Sequence, residues 1–343
     1  MSIIYETNNC VLIDHRDYIS KIYKNVVNGK ELNSHTLLAK LFHIVSENSK
    51  SRKRKYNCDR FSVETTKVCK MYEKFIKDLP EDIKVNIKNK YMSIDTSNVR
   101  DLSKTLFEST IFDHTGLNGG NNSNAPLKCK VKSKYFLIPP RSRFYCGCIK
   151  KYTKLNRTFD IIVADPPWWN KYIRRLNGAN DKLSYSMMYN EGIASIPVEK
   201  LLAPNCLVAV WCTNSPSNVA AVKDEIFPKW GIKYVATWYW IKVTVDLGTV
   251  CHFASENMKQ PYERIILGTV GDVKAIPDDR LVVGIPSALH SHKPPLLDLL
   301  TPYVTTQNPE TLELFARYLL PDTTSIGYEP LKWQHENLYE SIS

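Results

Sequence analysis

The chain has 343 residues, 43% of them hydrophobic and 24% charged, enough for one enzyme-sized core with a smaller appendage. No apolar run approaches the roughly 20 residues needed to span a bilayer, and the N-terminus lacks a signal peptide's basic start and apolar stretch, so a soluble intracellular protein is expected. A net charge of +11 fits two readings: a basic surface kept soluble by repulsion, or a polyanion partner whose phosphates favour clustered Lys and Arg.

In chain order, residues 1–125 read as a mainly helical region. Residues 34–47 place Leu37, Leu38, Leu41 and Val45 at helical spacing after Ser34. Residues 62–79 do the same with Val68, Met71, Tyr72, Phe75, Ile76 and Leu79, with Ser62 as N-cap. Between them, KSRKRK (50–55) is a solvated loop, a nuclear-import signal or a phosphate-contacting patch. The helices and this run are candidates for gripping a polyanion partner, and the run also points to the nucleus. The Gly/Asn-rich stretch 116–126 suits neither a helix interior nor a central strand and marks a boundary, leaving a second domain over 126–343.

Beyond it, apolar runs at 134–138, 159–164, 206–213, 234–245, 263–270, 280–286 and 311–316 predict strands. Helices are predicted at 216–227 and 294–304, the latter with Pro294 and Pro295 in its first turn. Nearly continuous apolar strands are covered on both faces. Their alternation with helices predicts an α/β sheet that binds ligands at the carboxyl ends of its strands. Nine cysteines, odd in number and without a C-x-x-C pair, argue for reduced thiols and no metal.

The chemistry concentrates in Asp165-Pro166-Pro167-Trp168, directly after the strand FDIIVA. A strand-ending Asp with turn-stiffening prolines would explain the prolines, but not why Trp168 and Trp169 follow in a loop. Exposed aromatics beside a rigid acidic loop suit a pocket for a flipped base. The N6 lone pair of adenine is conjugated into the ring, so the amine is a poor nucleophile. A carboxylate and a backbone carbonyl accepting its two hydrogens would draw the nitrogen toward tetrahedral geometry, and Pro166 fixes the main chain that aims the carbonyl. The following loop, 169–186, interleaves Lys171, Arg174 and Arg175 with Tyr172 and Tyr185, as expected of a strand-binding lid. Trp169, Asn170, Lys171, Arg174, Arg175 and Tyr185 are its candidate substrate contacts.

With D-P-P-W, the stretches APNCLVAVWCTN (203–214), PYERIILG (261–268), LHSHKPPL (289–296), LELFAR (312–317) and EPLKWQH (329–335) resemble the MT-A70 family of adenine-N6 methyltransferases, and its methyltransferase-like protein 4 branch in particular. VLIDHRDYISKI (11–22) resembles that branch's N-terminus. The resemblance implies a Rossmann-like fold with permuted (β-class) motif order, S-adenosyl-L-methionine as cofactor, no metal, and Asp165, Pro166, Pro167 and Trp168 as the methyl-transfer site. It also implies cofactor contacts from Asp165, Lys293, Phe315, Arg317 and Glu329. Two positions depart from the family pattern. Cys148, beside Ile149, stands where an Asp binds the cofactor's adenine, and a thiol is a weak hydrogen-bond partner. Tyr328 stands where Asn is common, next to the residue holding the ribose. The branch implies RNA as substrate, 2'-O-methyladenosine of U2 small nuclear RNA, acted on by a monomer with no obligate protein partner and no membrane. DNA adenine methylation is the nearest alternative, and a catalytically silent RNA-binding scaffold is the alternative of another class.

Overall fold

The computed structural model describes residues 2–24, 26–27, 30–31, 34–42, 61–91, 94, 98–110, 114–169, 187–255 and 258–342. One large sheet organises them. Its strands are β1 (Ile3–Glu6), β2 (Cys10–Ile13), β3 (Asn118–Asn121), β4 (Ser142–Cys146), β5 (Phe159–Ala164), β6 (Leu202–Cys212), β7 (Lys233–Lys242), β8 (Tyr262–Val270), β9 (Leu281–Gly284), β10 (Thr311–Leu314) and β11 (Thr323–Gly327). Across the sheet they run β1-β2-β9-β7-β8-β6-β5-β10-β11-β4-β3. Strands β2, β9, β7, β6, β5, β10, β11 and β4 point one way, while β1, β8 and β3 oppose them. This is the expected α/β, Rossmann-like sheet, and its parallel strands bring their carboxyl ends to a single edge.

The apolar strand FDIIVA shows why. Ile161 and Val163 enter the core on one face of the sheet, and Ile162 and Ala164 the core on the other. Each such fully buried Ile or Val stabilises the fold by about 1.5–3 kcal/mol, so a central position satisfies the run and an edge would waste it. The predicted strands at 159–164, 206–213, 234–245, 263–270, 280–286 and 311–316 all lie in this sheet, with ends shifted by a few residues. The strand at 134–138 forms instead as half of a hairpin with Leu127–Val131, outside the large sheet.

The helix expected over 62–79 is present as Val63–Asp78, and Ser62 caps it by accepting the Thr65 N–H at 3.1 Å. The helix expected over 34–47 is not formed at its start. Ser34–Leu37 is a strand paired antiparallel with Tyr339–Ile342, followed by a short 3-10 turn at Ala39–Phe42, and residues 43–47 lie outside those described. Backbone partners some three hundred residues away in sequence override a helical spacing of leucines. The helix expected over 294–304 begins only at Leu297, after both prolines.

Residues 116–126 contain β3, an edge strand against β4. Glycine makes it fit: a Cβ on Gly120 would lie 2.2 Å from the Ser142 carbonyl oxygen. The N-terminal segment supplies β1 and β2 at the opposite edge, and Val11, Ile13, Leu41, Phe42 and Leu106 share one core with Val163, Trp211 and Leu267. Residues 1–125 and 126–343 thus contribute to the same sheet and the same core. No helix among the described residues is long and apolar enough to cross a membrane.

Candidate active site

Because β8 is antiparallel, its amino end joins the carboxyl ends of its neighbours at one edge. There Asp165 leaves β5, and its N–H donates to the Leu314 carbonyl of β10 at 3.3 Å. Near Asp165 the backbone is left-handed at two non-glycine positions, Phe315 (φ 61°) directly after β10 and Ser291 (φ 57°) in the loop after β9, as it is further along this edge at Leu247 (φ 57°). Such strain persists only where surrounding packing enforces it, and it clusters at functional sites. The Ser291 turn points its hydroxyl at Asp165, donating to Oδ2 at 3.1 Å.

Seven side chains of alternating charge run across this edge. Lys242 contacts Glu263, and Glu263 accepts from Lys293 at 2.6 Å. Lys293 Nζ lies 3.7 Å from Asp165 Oδ1, and Arg317 Nη1 lies 4.0 Å from Oδ2. Arg317 Nε then faces Glu329 at 3.6 Å, and Lys332 donates to Glu329 at 2.7 Å. Burial disfavours the charge on Glu263, yet Lys293 and Lys242 hold its carboxyl far below the usual carboxylate range. Burial likewise opposes the Lys293 ammonium, but Asp165 and Glu263 outweigh it and keep its pKa above the ordinary value. Glu263 and Lys293 are therefore both charged at neutral pH, and Lys293 and Arg317 flank the Asp165 side chain.

Beside it opens a cavity of about 180 Å³, lined by Cys148, Ile149, Pro167, Phe315, Tyr328 and Glu329, with Arg317 also on its wall. The structure therefore gathers Asp165, Lys293, Arg317 and Glu329 into one ion network, and Cys148, Ile149, Phe315 and Tyr328 around one cavity. The two departures from the family pattern meet: burial, then the neighbouring Cys148 thiol, raises the Tyr328 phenol above its ordinary pKa.

Trp168 differs from expectation. The sequence places it exposed in a loop, but it is buried, and its indole N–H donates to the Trp211 carbonyl of β6 at 2.9 Å. It anchors the D-P-P-W turn from below, leaving Trp169 as the half-buried member of the pair. The carbonyls of Pro166 and Pro167 accept the Trp168 and Met188 N–H groups, each at 2.8 Å, so any substrate contact uses a second lone pair. Asn170, Lys171, Arg174, Arg175 and Tyr185 lie outside the described residues.

Sequence reasoning did not single out Glu263, Lys242, Ser291 or Lys332. Glu263 carries a readable signal, an acid at the head of the apolar run PYERIILG; Lys332 follows Glu329 at helical i,i+3 spacing. The loop that holds Ser291 and Lys293 is braced by the N-terminal segment. The Ala288 N–H donates to the Leu41 carbonyl at 2.7 Å, Ser103 donates to the Ala288 carbonyl at 2.7 Å, and His15 packs on His292 with ring centroids 4.6 Å apart.

Two predictions arise from this geometry. A Cβ on Gly327 would sit 2.9 Å from the Ala316 nitrogen and 3.1 Å from the Phe315 carbonyl carbon. Gly327→Ala should displace the strained Phe315 turn and destabilise the protein by about 1–3 kcal/mol, read from urea unfolding. The second concerns Glu313, beside Val163 and beneath Asp165 in the sheet, whose Oε2 is buried with no hydrogen-bond partner among the described residues. Burial, aided by Asp165 and opposed by Arg317, pushes its carboxyl up to about 8. The folded protein thus keeps a proton that the unfolded chain releases near its ordinary value of 4.5. The stability this proton confers is full below that value and is lost as the pH rises through about 8. Glu313→Gln should remove this decline, so its Tm advantage over the parent should grow from about pH 5 to about pH 9 in a thermal-melt series.

The sequence matches known proteins over the same residues. The MT-A70 family profile matches residues 159–329, which open with β5 and close on Glu329. The chain is 38% identical over 237 residues to N(6)-adenine-specific methyltransferase METTL4 of Homo sapiens, covering 65% of this chain and 48% of that protein. It is 37% identical over 211 residues to the DNA N6-methyl methyltransferase of Caenorhabditis elegans, covering 60% and 55%. N6-methyladenosine RNA methyltransferase MTA1 of Pyricularia oryzae shares 29% identity over 218 residues, covering 60% and 57%. The chain spans about half the length of the curated relatives it matches. With the D-P-P-W turn and all of the ion network but Lys332 falling within the profile match, the chain belongs to the MT-A70 family, in its METTL4 branch.

Proposed function

We propose that this chain methylates the exocyclic N6 amine of adenine in a nucleic acid, with S-adenosylmethionine as donor. The observation that carries the reading is the Asp165 carboxylate, fixed at the end of β5 by Ser291 and flanked by Lys293 and Arg317, beside a cavity lined by a second carboxylate, Glu329.

The residues present fit the cofactor. Glu329 suits ribose hydroxyls, Phe315 and Ile149 supply apolar wall for an adenine, and Lys293 suits a carboxylate at the other end. Cys148 and Tyr328 replace an Asp and an Asn of the family pattern on that wall, so the adenosine rests more on apolar contact and main chain than on charged hydrogen bonds. When bound, the cofactor supplies an electrophilic methyl on a sulfonium, so the protein's task is placement. Asp165 accepts an N6 hydrogen and turns the amine lone pair out of the ring plane, and the Pro166 carbonyl offers the second acceptor. Ser291, Lys293 and Arg317 prevent the carboxylate from rotating away. Positioning and preorganised charge then lower the barrier.

The finer reading is RNA, namely 2'-O-methyladenosine in U2 small nuclear RNA, giving N6,2'-O-dimethyladenosine in the nucleus. It rests on the resemblance to the METTL4 branch and on the basic character of the chain. Lys70, Lys74 and Lys77, exposed along one side of the helix Val63–Asp78, are the cations of region 1–125 that we assign to phosphate contacts, together with the run at 50–55. DNA adenine is the second reading, favoured by the Caenorhabditis elegans relative named as a DNA N6-methyl methyltransferase. Tritiated-methyl transfer to three matched oligonucleotides separates them: RNA with adenosine, the same RNA with 2'-O-methyladenosine, and DNA. The RNA reading expects the 2'-O-methylated strand to take the most label; label chiefly on DNA would replace it with the second reading.

A further inference from the structure

At the mouth of the site the residues just before 170 and just after 186 are joined. Trp168 and Met188 form a parallel bridge, the Met188 N–H donates to the Pro167 carbonyl at 2.8 Å, and the Trp169 N–H donates to the Met188 carbonyl at 2.9 Å. This brings Trp169 and Tyr189 together as a stacked pair, with ring centroids 5.4 Å apart and planes 21° from parallel. The pair is rigid, because the Tyr189 carbonyl also accepts the Ile193 N–H of the helix Asn190–Ala194 at 3.1 Å. Yet Tyr189 is 60% exposed, among the most exposed large apolar side chains of the described residues.

A stack that served only to join Trp169 to Tyr189 would gain by burying its outer ring. Here the outer ring faces solvent directly beside Met188 and Pro167, which line the cavity. Lys150, another cavity residue, donates to Ser195 at 2.8 Å, just past the far end of the helix that Tyr189 opens. An exposed flat aromatic face beside the cavity is suited to the base of an unpaired nucleotide, which stacks on it. Stacking accepts any base, since each has a π-face, but only a base freed from a duplex exposes that face.

We propose that the Trp169–Tyr189 stack is a platform for the nucleobase flanking the target adenine, making unpaired nucleic acid the substrate class. The proposal rests on the methyltransferase reading for its substrate, but its own test is one of binding. Tyr189 is a positioning residue in this scheme, acting on a neighbour of the reacting base.

The test uses the full chain, S-adenosylmethionine and a short single-stranded oligonucleotide carrying 2-aminopurine beside the target adenine. Tyr189→Ala should raise KM for the oligonucleotide roughly 5- to 100-fold with kcat within about twofold, and should abolish the 2-aminopurine quenching seen with the parent. Tyr189→Phe should restore both, cofactor affinity should be equal in all three proteins, and turnover of free adenosine should be indifferent to the change. Unchanged KM and quenching in Tyr189→Ala would overturn the platform. So would failure of Phe to rescue, or a parallel loss of cofactor binding, which marks a structural brace. If the parent methylates nothing yet shows quenching that Ala removes, the platform stands while the methyltransferase reading falls; no quenching in the parent overturns the platform.

Discussion

Asp165→Asn should lower kcat for methyl transfer by roughly 100- to 1,000-fold while leaving cofactor affinity within a few-fold of the parent. The replacement keeps the shape of the side chain and an oxygen for the Ser291 hydroxyl, so the turn after β5 should hold. What disappears is the negative charge between Lys293 and Arg317, and with it the acceptor that we propose turns the amine lone pair toward the methyl group. An amide can also present its NH2 group to the substrate amine, where two donors would face each other. Single-turnover kinetics and calorimetric titration of the cofactor separate the chemical loss from a binding loss. A fall in cofactor affinity that matches the fall in rate would place Asp165 in binding alone.

Glu263→Gln should be the most destabilising single change at the site, costing about 3 kcal/mol, the low end for breaking a buried pair because the Glu263 side chain keeps 24% of its surface exposed. The residue holds Lys242 on one side and Lys293 on the other, and among the described residues no other carboxylate pairs with Lys242. Removing its charge leaves two neighbouring ammonium groups without their shared anion. Lys293 should then lean toward Asp165, taking up the carboxylate that the amine needs, so activity should fall together with stability. Adding Lys293→Met to Glu263→Gln should recover much of the stability and none of the rate. Urea unfolding of the two variants, read beside their kinetics, checks both halves. Equal stability of Glu263→Gln and the parent would mean that the row of charges is not a coupled network.

The D-P-P-W turn was legible in the sequence as a candidate site because its residues are contiguous: an acid, two prolines and a tryptophan directly after an apolar strand. The rest of the site is assembled across the sheet. Ser291 reaches Asp165 from 126 residues away, and Glu263 comes to the edge only because β8 runs antiparallel to its neighbours. Neither spacing nor composition encodes such meetings. Lys293, Arg317 and Glu329 were found through resemblance to a family, not through periodicity. Trp168 was misplaced because a tryptophan after two prolines reads as loop surface, whereas its N–H is fixed on β6. The strands SRFYC and TTSIG escaped notice since each is five residues long and mostly lacks a sustained apolar run. The same locality explains the segment at 34–37, where leucine spacing suggests a helix and a distant strand decides otherwise.

The account turns on which atom receives the methyl group. The full chain would be incubated with a deuterated-methyl donor and an adenine-containing oligonucleotide, the product digested to nucleosides, and the labelled nucleoside identified by mass spectrometry against standards. The account predicts label on N6 of adenine, absent with Asp165→Asn. Label on a ring nitrogen, on a ribose oxygen or on another base would contradict it, as would no labelled nucleoside from RNA or DNA under conditions where the cofactor binds.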